Sequence, residues 1–223
     1  MDPILLSLTV GLAATLLSMP FAVAVAWYLE RTHWPGRGAV QTIILMPLVL
    51  PPVVVGYLLL SCFSPRGILG RALGTIGLPV AFHWLGAVAA AAVVGFPLFV
   101  MMIGLAMKGV EPRLEVVSRS LGASRWKTFL RVTLPLSWPG ILAGAAICFA
   151  RGLGEFGATI VLAGRIPGET ETIPLAIYAK LDSPTGEGRI LGLAAASFLL
   201  CLACVLAARR LDRAHRKRLE VER

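Results

Sequence analysis

The sequence predicts an all-α integral membrane protein: five membrane-crossing helices and two short helices on the cytoplasmic face. Three observations predict it. First, 57% of the 223 residues are hydrophobic and only 15% are charged, with a mean hydropathy of +0.80. Soluble domains carry about 45–50% apolar and about 25% charged residues. Second, five apolar runs are long enough to cross a bilayer core, which takes roughly 20 residues. They are Ile4–Leu29, Thr42–Phe63, Gly86–Met107, Ile141–Ala163 and Ile190–Ala208. Third, a basic, amphipathic stretch of about 33 residues separates the third run from the fourth. The runs use about half the chain, which excludes a separate soluble catalytic domain, a disordered chain and a fibrous one. The expected organisation is a transmembrane domain over 1–208, with a cytoplasmic loop at 108–140, and a basic tail over 209–223.

The first span is expected to be retained. Met1-Asp2-Pro3 has no Lys or Arg, and the apolar stretch is too long for a cleaved signal. Its small residues Gly11, Ala13, Ala14 and Ser18 permit close packing in lipid, and Pro20 is expected to kink it. The second span holds Pro47, Pro51 and Pro52 within six residues, so its backbone ladder is broken in mid-membrane. Two readings stay open for it: a kinked structural helix, or a helix lining or gating a pathway. The loop after it, rich in Gly and Pro, is expected to hold little regular structure.

The third loop predicts two short helices. Leu114, Val117, Ser118 and Leu121 share one helical face, Gly122 caps the first helix, and Ser124 opens the second. Pro135 is expected to end that second helix. In the fourth span Pro139 sits in the first turn, and Arg151 and Glu155 lie near mid-membrane. A charge there costs at least about 2.5–3.5 kcal/mol on insertion scales. Their i, i+4 spacing allows them to pair, with Gly152, Gly154 and Gly157 beside them. The pair reads either as a structural ion pair or as part of a translocation path. The fourth loop contains Ile173–Tyr178, a short interfacial or re-entrant piece, and four acids: Glu169, Glu171, Asp182 and Glu187.

The net charge of +9 is placed by topology. The first loop, the third loop and the tail hold 15 basic residues against 5 on the opposite side, with Arg151 inside a span. The tail is therefore expected in the cytoplasm and the N-terminus outside. The tail reads as a topology anchor against anionic lipid, not a nucleic-acid site. Cys201 and Cys204 fit C-x-x-C but read as small hydrophobes, like Cys62 and Cys148. No metal site is expected from them with His33, His83 and His215.

The stretch Glu115-Val116-Val117-Ser118, Leu121-Gly122-Ala123-Ser124 and Val132-Thr133-Leu134-Pro135 resembles the cytoplasmic coupling loop of ABC importer permeases. The family pattern is Glu-Ala-Ala, three residues, Gly, nine residues, then Ile-x-Leu-Pro. Gly122, the spacer, Val132, Leu134 and Pro135 match it. Val116-Val117-Ser118 occupies the triplet, and Glu115 lies one residue before it. The helix-turn-helix thus carries over, while the family role of the acid does not carry over by position.

Further pieces resemble the molybdate-type branch: Trp34-Pro35-Gly36-Arg37, Met46 through Tyr57, Trp138-Pro139-Gly140-Ile141, Phe149 through Thr159, and Ile173 through Tyr178. The resemblance covers nearly the whole chain. It implies the type I importer permease fold in a prokaryotic inner membrane, working as a homodimer. Two copies of a cytoplasmic ATPase subunit would supply ATP and Mg, and an extracytoplasmic binding protein would deliver molybdate. On this chain it implies no cofactor and no catalytic residue, and the sequence contains no G-x-x-x-x-G-K-[ST] loop. Coupling falls to the 114–135 element. Pro47, Pro51, Pro52, Arg151, Gly154, Glu155 and Gly157 are the residues expected at the path or gate. Sulfate, thiosulfate or tungstate permeases are alternatives within the branch. An ion-coupled secondary transporter should show internal repeats, and none is visible. An intramembrane enzyme should show a catalytic pair, which Arg151 and Glu155 make poorly.

Overall fold

A computed structural model describes the backbone of residues 1–32, 34–181 and 187–221, and the side chains of these except 187, 189 and 211–221. His33 and Asp182, and the side chains of Glu187, His215 and the basic tail beyond Arg210, therefore lie outside the described residues.

The first helix, α1, spans Pro3–Arg31. Asp2 caps it, accepting the Ile4 N–H at 2.8 Å, and Pro3 fills a position where no donor is needed. The helix continues through Pro20. Its buried stripe mixes small and slightly polar residues (Ser7, Gly11, Ala14, Thr15, Ser18, Ala22) with Leu6, Val10 and Leu29. Thr15 returns its hydroxyl proton to the Gly11 carbonyl at 2.8 Å, which satisfies it without water.

The second apolar run is broken and not merely kinked. It forms α2 (Arg37–Val49) and α3 (Pro52–Phe63), bent by 112° at Leu50 and Pro51. Pro51 and Pro52 both lack the N–H that a continuing ladder needs, and the residue before each is driven to extended backbone. Leu50 at ψ 143° and Pro51 at ψ 132° show that effect. The following loop is more regular than expected, with α4 at Ile68–Gly74. Four helices pass as spans on their own, and the bent pair makes a fifth.

The third span is α5 (Trp84–Lys108), the central helix, which touches α1, α2 and α3. The loop between the third and fourth runs holds α6 (Pro112–Ser120) and α7 (Arg125–Thr128). Pro135 does not end the second of these. The chain passes through a π turn, Phe129–Thr133, into α8 (Leu134–Leu153), so that Arg125–Leu153 is one run of 29 residues. In the π turn the Leu134 N–H donates to the Phe129 carbonyl, five residues back. The wider turn relieves the ladder just where the Pro135 ring would press on the carbonyl of Arg131. Pro139 consequently lies inside α8, not in its first turn.

The fourth apolar run is also interrupted. After α8 the chain breaks at Gly154–Phe156 and resumes as α9 (Gly157–Leu162). The Ile173–Leu181 piece is a helix, α10, folded back against α1: the Ile173 N–H donates to Ser7 Oγ at 2.8 Å, and Ile173, Leu175 and Ala176 are buried. The last helix, α11, runs Glu187–Val221 and lies on α8. It exposes Leu191, Phe198 and Leu199, as a lipid-facing helix should. Cys201 and Cys204 are free thiols on it.

Helices α1, α5 and α8 pack around Phe99, Ile103, Met107 and Ile141. Small residues bring them close. A Cβ on Gly95 would stand 2.9 Å from Cys148 Sγ, and one on Gly140 only 2.3 Å from the Cβ of Ala106.

Candidate functional site

The two interrupted spans meet at their breaks. A Cβ on Gly157, the first residue of α9, would fall 2.7 Å from the Cβ of Pro52, the first residue of α3. One turn further on, a Cβ on Gly56 would lie 2.8 Å from both the Cα and the carbonyl oxygen of Ala158. Only glycine permits this backbone-to-backbone approach. Val55, Ala158 and Leu162 close the contact with Ala90 and Val94 of α5.

Glu155 occupies the gap in the fourth span and is buried. Its Oε2 accepts from Arg151 Nη1 at 2.8 Å, and its Oε1 accepts the Ala158 N–H at 2.9 Å. The i, i+4 pair thus forms although α8 ends at Leu153, between its members. The carboxylate supplies the acceptor that the first turn of α9 lacks, and the guanidinium stands in the last turn of α8; each charge suits the helix dipole it faces. Burial is asymmetric: the side chain of Glu155 is 2% exposed and that of Arg151 is 32% exposed. The carboxylate is therefore consumed by structure, while part of the guanidinium stays accessible.

The pair sits off centre. Gly152 adjoins Ala91, the eighth of the 25 residues of α5, and the Gly86 level of α5 adjoins Leu162 and Ala163. At 1.5 Å per residue, Ala91 is about 7 Å from the middle of α5. Relative to α5, the pair therefore lies in the Trp84 half of the bundle. A run broken at residue 154 and folded back cannot be measured as one straight span. Of the expected path residues, Pro51, Pro52, Glu155 and Gly157 belong to the two breaks, and Arg151 joins them through its ion pair. Pro47 lies inside α2, before its break, and Gly154 is exposed at the end of α8 with only the Arg151 carbonyl near its Cβ position.

The stretch expected to couple forms the turn the sequence suggested. Gly122 has φ +87°, the left-handed position, its N–H donates to Arg119, and the Ala123 N–H reaches back to Ser118. Ser124 caps α7 through the Lys127 N–H at 3.3 Å. Val116, Val117 and Leu121 point outward, 55–82% exposed. Val116, Arg119, Ser120, Ala123, Ser124 and Arg125 line an open concavity on this surface. Leu134 and Pro135 lie at the start of α8, beyond the turn.

Sequence reasoning missed what holds this element. Glu115 Oε1 accepts from Arg31 Nε at 3.0 Å and from Thr133 Oγ1 at 2.7 Å. Arg31 also donates to the Met107 carbonyl at 2.9 Å. Trp27 packs on Trp126 and Phe129, with centroids at 5.8 and 4.9 Å. The available signals were an acid beside an otherwise apolar triplet and an Arg closing the first span, but 84 residues separate them.

A family model described as "Binding-protein-dependent transport system inner membrane component" matches residues 18–217. The chain belongs to this family. Among curated members, the molybdenum transport system permease protein ModB of Escherichia coli K12 is 48% identical over 96% of this chain and 94% of that protein. ModB of Haemophilus influenzae is 44% identical over the same shares. The sulfate transport system permease protein CysT of E. coli is 36% identical over 84% of this chain and 69% of its own length. An inward-facing structure of the MetNI methionine ABC transporter superimposes with a TM-score of 0.72 at 16% identity, covering 96% of this chain and 94% of that one. A bacterial alginate ABC transporter structure gives 0.64 at 23% identity, covering 97% and 80%. The fold of this family member is that of the type I ABC importer permeases, with its bent pair as the second of five spans.

Proposed function

We propose that this permease translocates molybdate by alternating access, driven by a separate ATPase subunit docked on the 114–135 element. The single observation that carries the substrate is the 48% identity to E. coli ModB across nearly the full length of both chains. The sulfate permease relative, at 36% over 69% of its length, makes sulfate or thiosulfate the second reading, with tungstate beside it.

The geometry supports an assignment of working parts. The outward-facing Val116, Val117 and Leu121, with the concavity beside them, form the ATPase docking surface. Because α7, the π turn and α8 are one run of 29 residues, about 43 Å long at 1.5 Å per residue, displacement at the docked end reaches Arg151 directly. There the accessible side of the guanidinium offers a fixed positive charge to a divalent oxyanion. Glu155 pairs with it and prevents tight trapping. The glycine contacts between α3 and α9 let the two breaks slide as a gate. Return to the inward state releases the anion to the cytoplasm.

The chain works as a homodimer with its path at the two-fold interface. Support for this comes from α2, which buries none of its residues, and from the exposed row Ile43, Met46, Val49, Val53 and Tyr57 on α2 and α3. An extracytoplasmic molybdate-binding protein delivers the cargo. The charge asymmetry of the loops supports an N-terminus outside and a cytoplasmic C-terminus in a prokaryotic inner membrane.

The test is ATP hydrolysis by the complex in liposomes, with binding protein loaded with molybdate, tungstate, sulfate or nothing. Strongest stimulation by the molybdate-loaded protein is expected. Stimulation by sulfate alone moves the substrate to the second reading, and none by any anion overturns the oxyanion reading.

A further inference from the structure

Glu115 is the acid that stands one residue ahead of the position where the family places one, and the structure gives it partners within its own chain. Its Oε1 accepts from Arg31 Nε and from Thr133 Oγ1, with Arg31 Nη2 also at 2.8 Å. Arg31 ends α1 and its Nη2 holds the Met107 carbonyl at the end of α5. Thr133 ends the π turn, and its side chain is buried. One carboxylate oxygen therefore joins four elements: α6, α1, the π turn and, through Arg31, α5. Both charged side chains are mostly shielded, 25% and 18% exposed, so water screens the contact little. Bonds to ionised partners are the strong ones, and here one guanidinium, through Nε, and a hydroxyl converge on a single oxygen. By contrast the neighbouring residues of α6, Val116 and Val117, face outward and hold nothing.

We infer that Glu115, Arg31 and Thr133 form a clutch: they tie the ATPase-docking helix α6 to the cytoplasmic ends of α1 and α5, so that motion of α6 moves these helices as well as α8. Glu115 acts as a positioning residue inside the permease, not as a contact to the ATPase. Chain continuity already joins α7 to α8, and α6 to α5 through residues 109–111, and Ser118 bonds Thr128 across the turn; the clutch adds the tie from α6 to α1. This inference rests on the reading of 114–135 as the ATPase-coupling element.

The experiment uses the full complex, with Glu115→Gln, Arg31→Gln, Thr133→Val and the Arg31→Gln/Glu115→Gln double variant. Two readouts are taken: molybdate moved per ATP hydrolysed in liposomes, and hydrogen exchange of α6 and of the end of α1 with and without vanadate-trapped nucleotide. The clutch predicts that each single variant lowers molybdate per ATP about fivefold. The double variant falls no further than the singles, because the pair acts as one unit. Nucleotide trapping changes exchange at both α6 and the end of α1 in the parent, but only at α6 in Glu115→Gln. The inference is overturned if Arg31→Gln and Thr133→Val behave as the parent while Glu115→Gln does not, which would make Glu115 an ATPase contact. It is equally overturned if the end of α1 responds to trapping in Glu115→Gln as it does in the parent. The exchange readout needs no cargo, so failure of the parent to move molybdate counts against the substrate reading and leaves the clutch to be decided by exchange.

Discussion

At the Arg31 end of the bundle, α1, α5, α6 and the π turn are held by a carboxylate, a guanidinium, a hydroxyl and three aromatic rings. At the other end, α3 and α9 meet through Gly56, Gly157, Pro52 and Ala158, backbone against backbone. The first region is stapled by directional, charge-assisted bonds, which resist displacement. The second relies on close van der Waals contact between short helices. Such contact tolerates sliding and tolerates no added atom. The proposed function, force received at one end and opening at the other, would use this division.

The comparison can be broken at the glycine contact with the largest effect. Gly56→Leu forces a side chain into space where even Cβ is 2.8 Å from the Ala158 backbone; overpacking costs typically 1–3 kcal/mol or more, and about 3 is expected here. Thermal unfolding of the purified protein in detergent should show it. Next comes Glu155→Ala, which strands the Arg151 guanidinium and leaves the Ala158 N–H without its acceptor. Since Arg151 is partly exposed, the loss should reach no more than about 3 kcal/mol and is expected near 2. The same unfolding assay reads it, and Arg151→Gln/Glu155→Gln should recover part of the loss.

A smaller effect is expected at the coupling turn. Gly122→Ala places a Cβ at φ +87°, costing about 1–2 kcal/mol, in open space where nothing clashes. The cost should appear as faster tryptic cleavage at Arg119 and Arg125. The smallest effect sharpens the comparison: Leu199→Ala on the exposed face of α11 should change stability by less than about 0.5 kcal/mol in detergent.

The spans were legible because hydropathy is a sum over many residues. The caps at Gly122 and Ser124 were legible because each depends on its immediate neighbours. The breaks were only half legible. Pro47, Pro51 and Pro52 announced a disturbed helix, but whether proline kinks or severs a span depends on what packs against it, here Gly157. The interruption at Gly154–Phe156 had no proline to announce it. Pro135 misled in the opposite direction, because a π turn ahead of it kept the helix running. The Arg151–Glu155 pair was visible from local spacing. The Glu115–Arg31–Thr133 contact was not, because its members come from segments whose proximity only the fold creates.

The most direct test of this division of labour is molybdate uptake into vesicles by the complex carrying Arg151→Gln at equal protein level, with stimulation of ATP hydrolysis by loaded binding protein measured in the same vesicles. The proposed role of Arg151 as a fixed charge serving the anion at the α8–α9 break predicts that uptake falls about tenfold, equivalent to about 1.4 kcal/mol, while the stimulation persists. Uptake equal to that of the parent would contradict the account and reduce the Arg151–Glu155 pair to a structural brace.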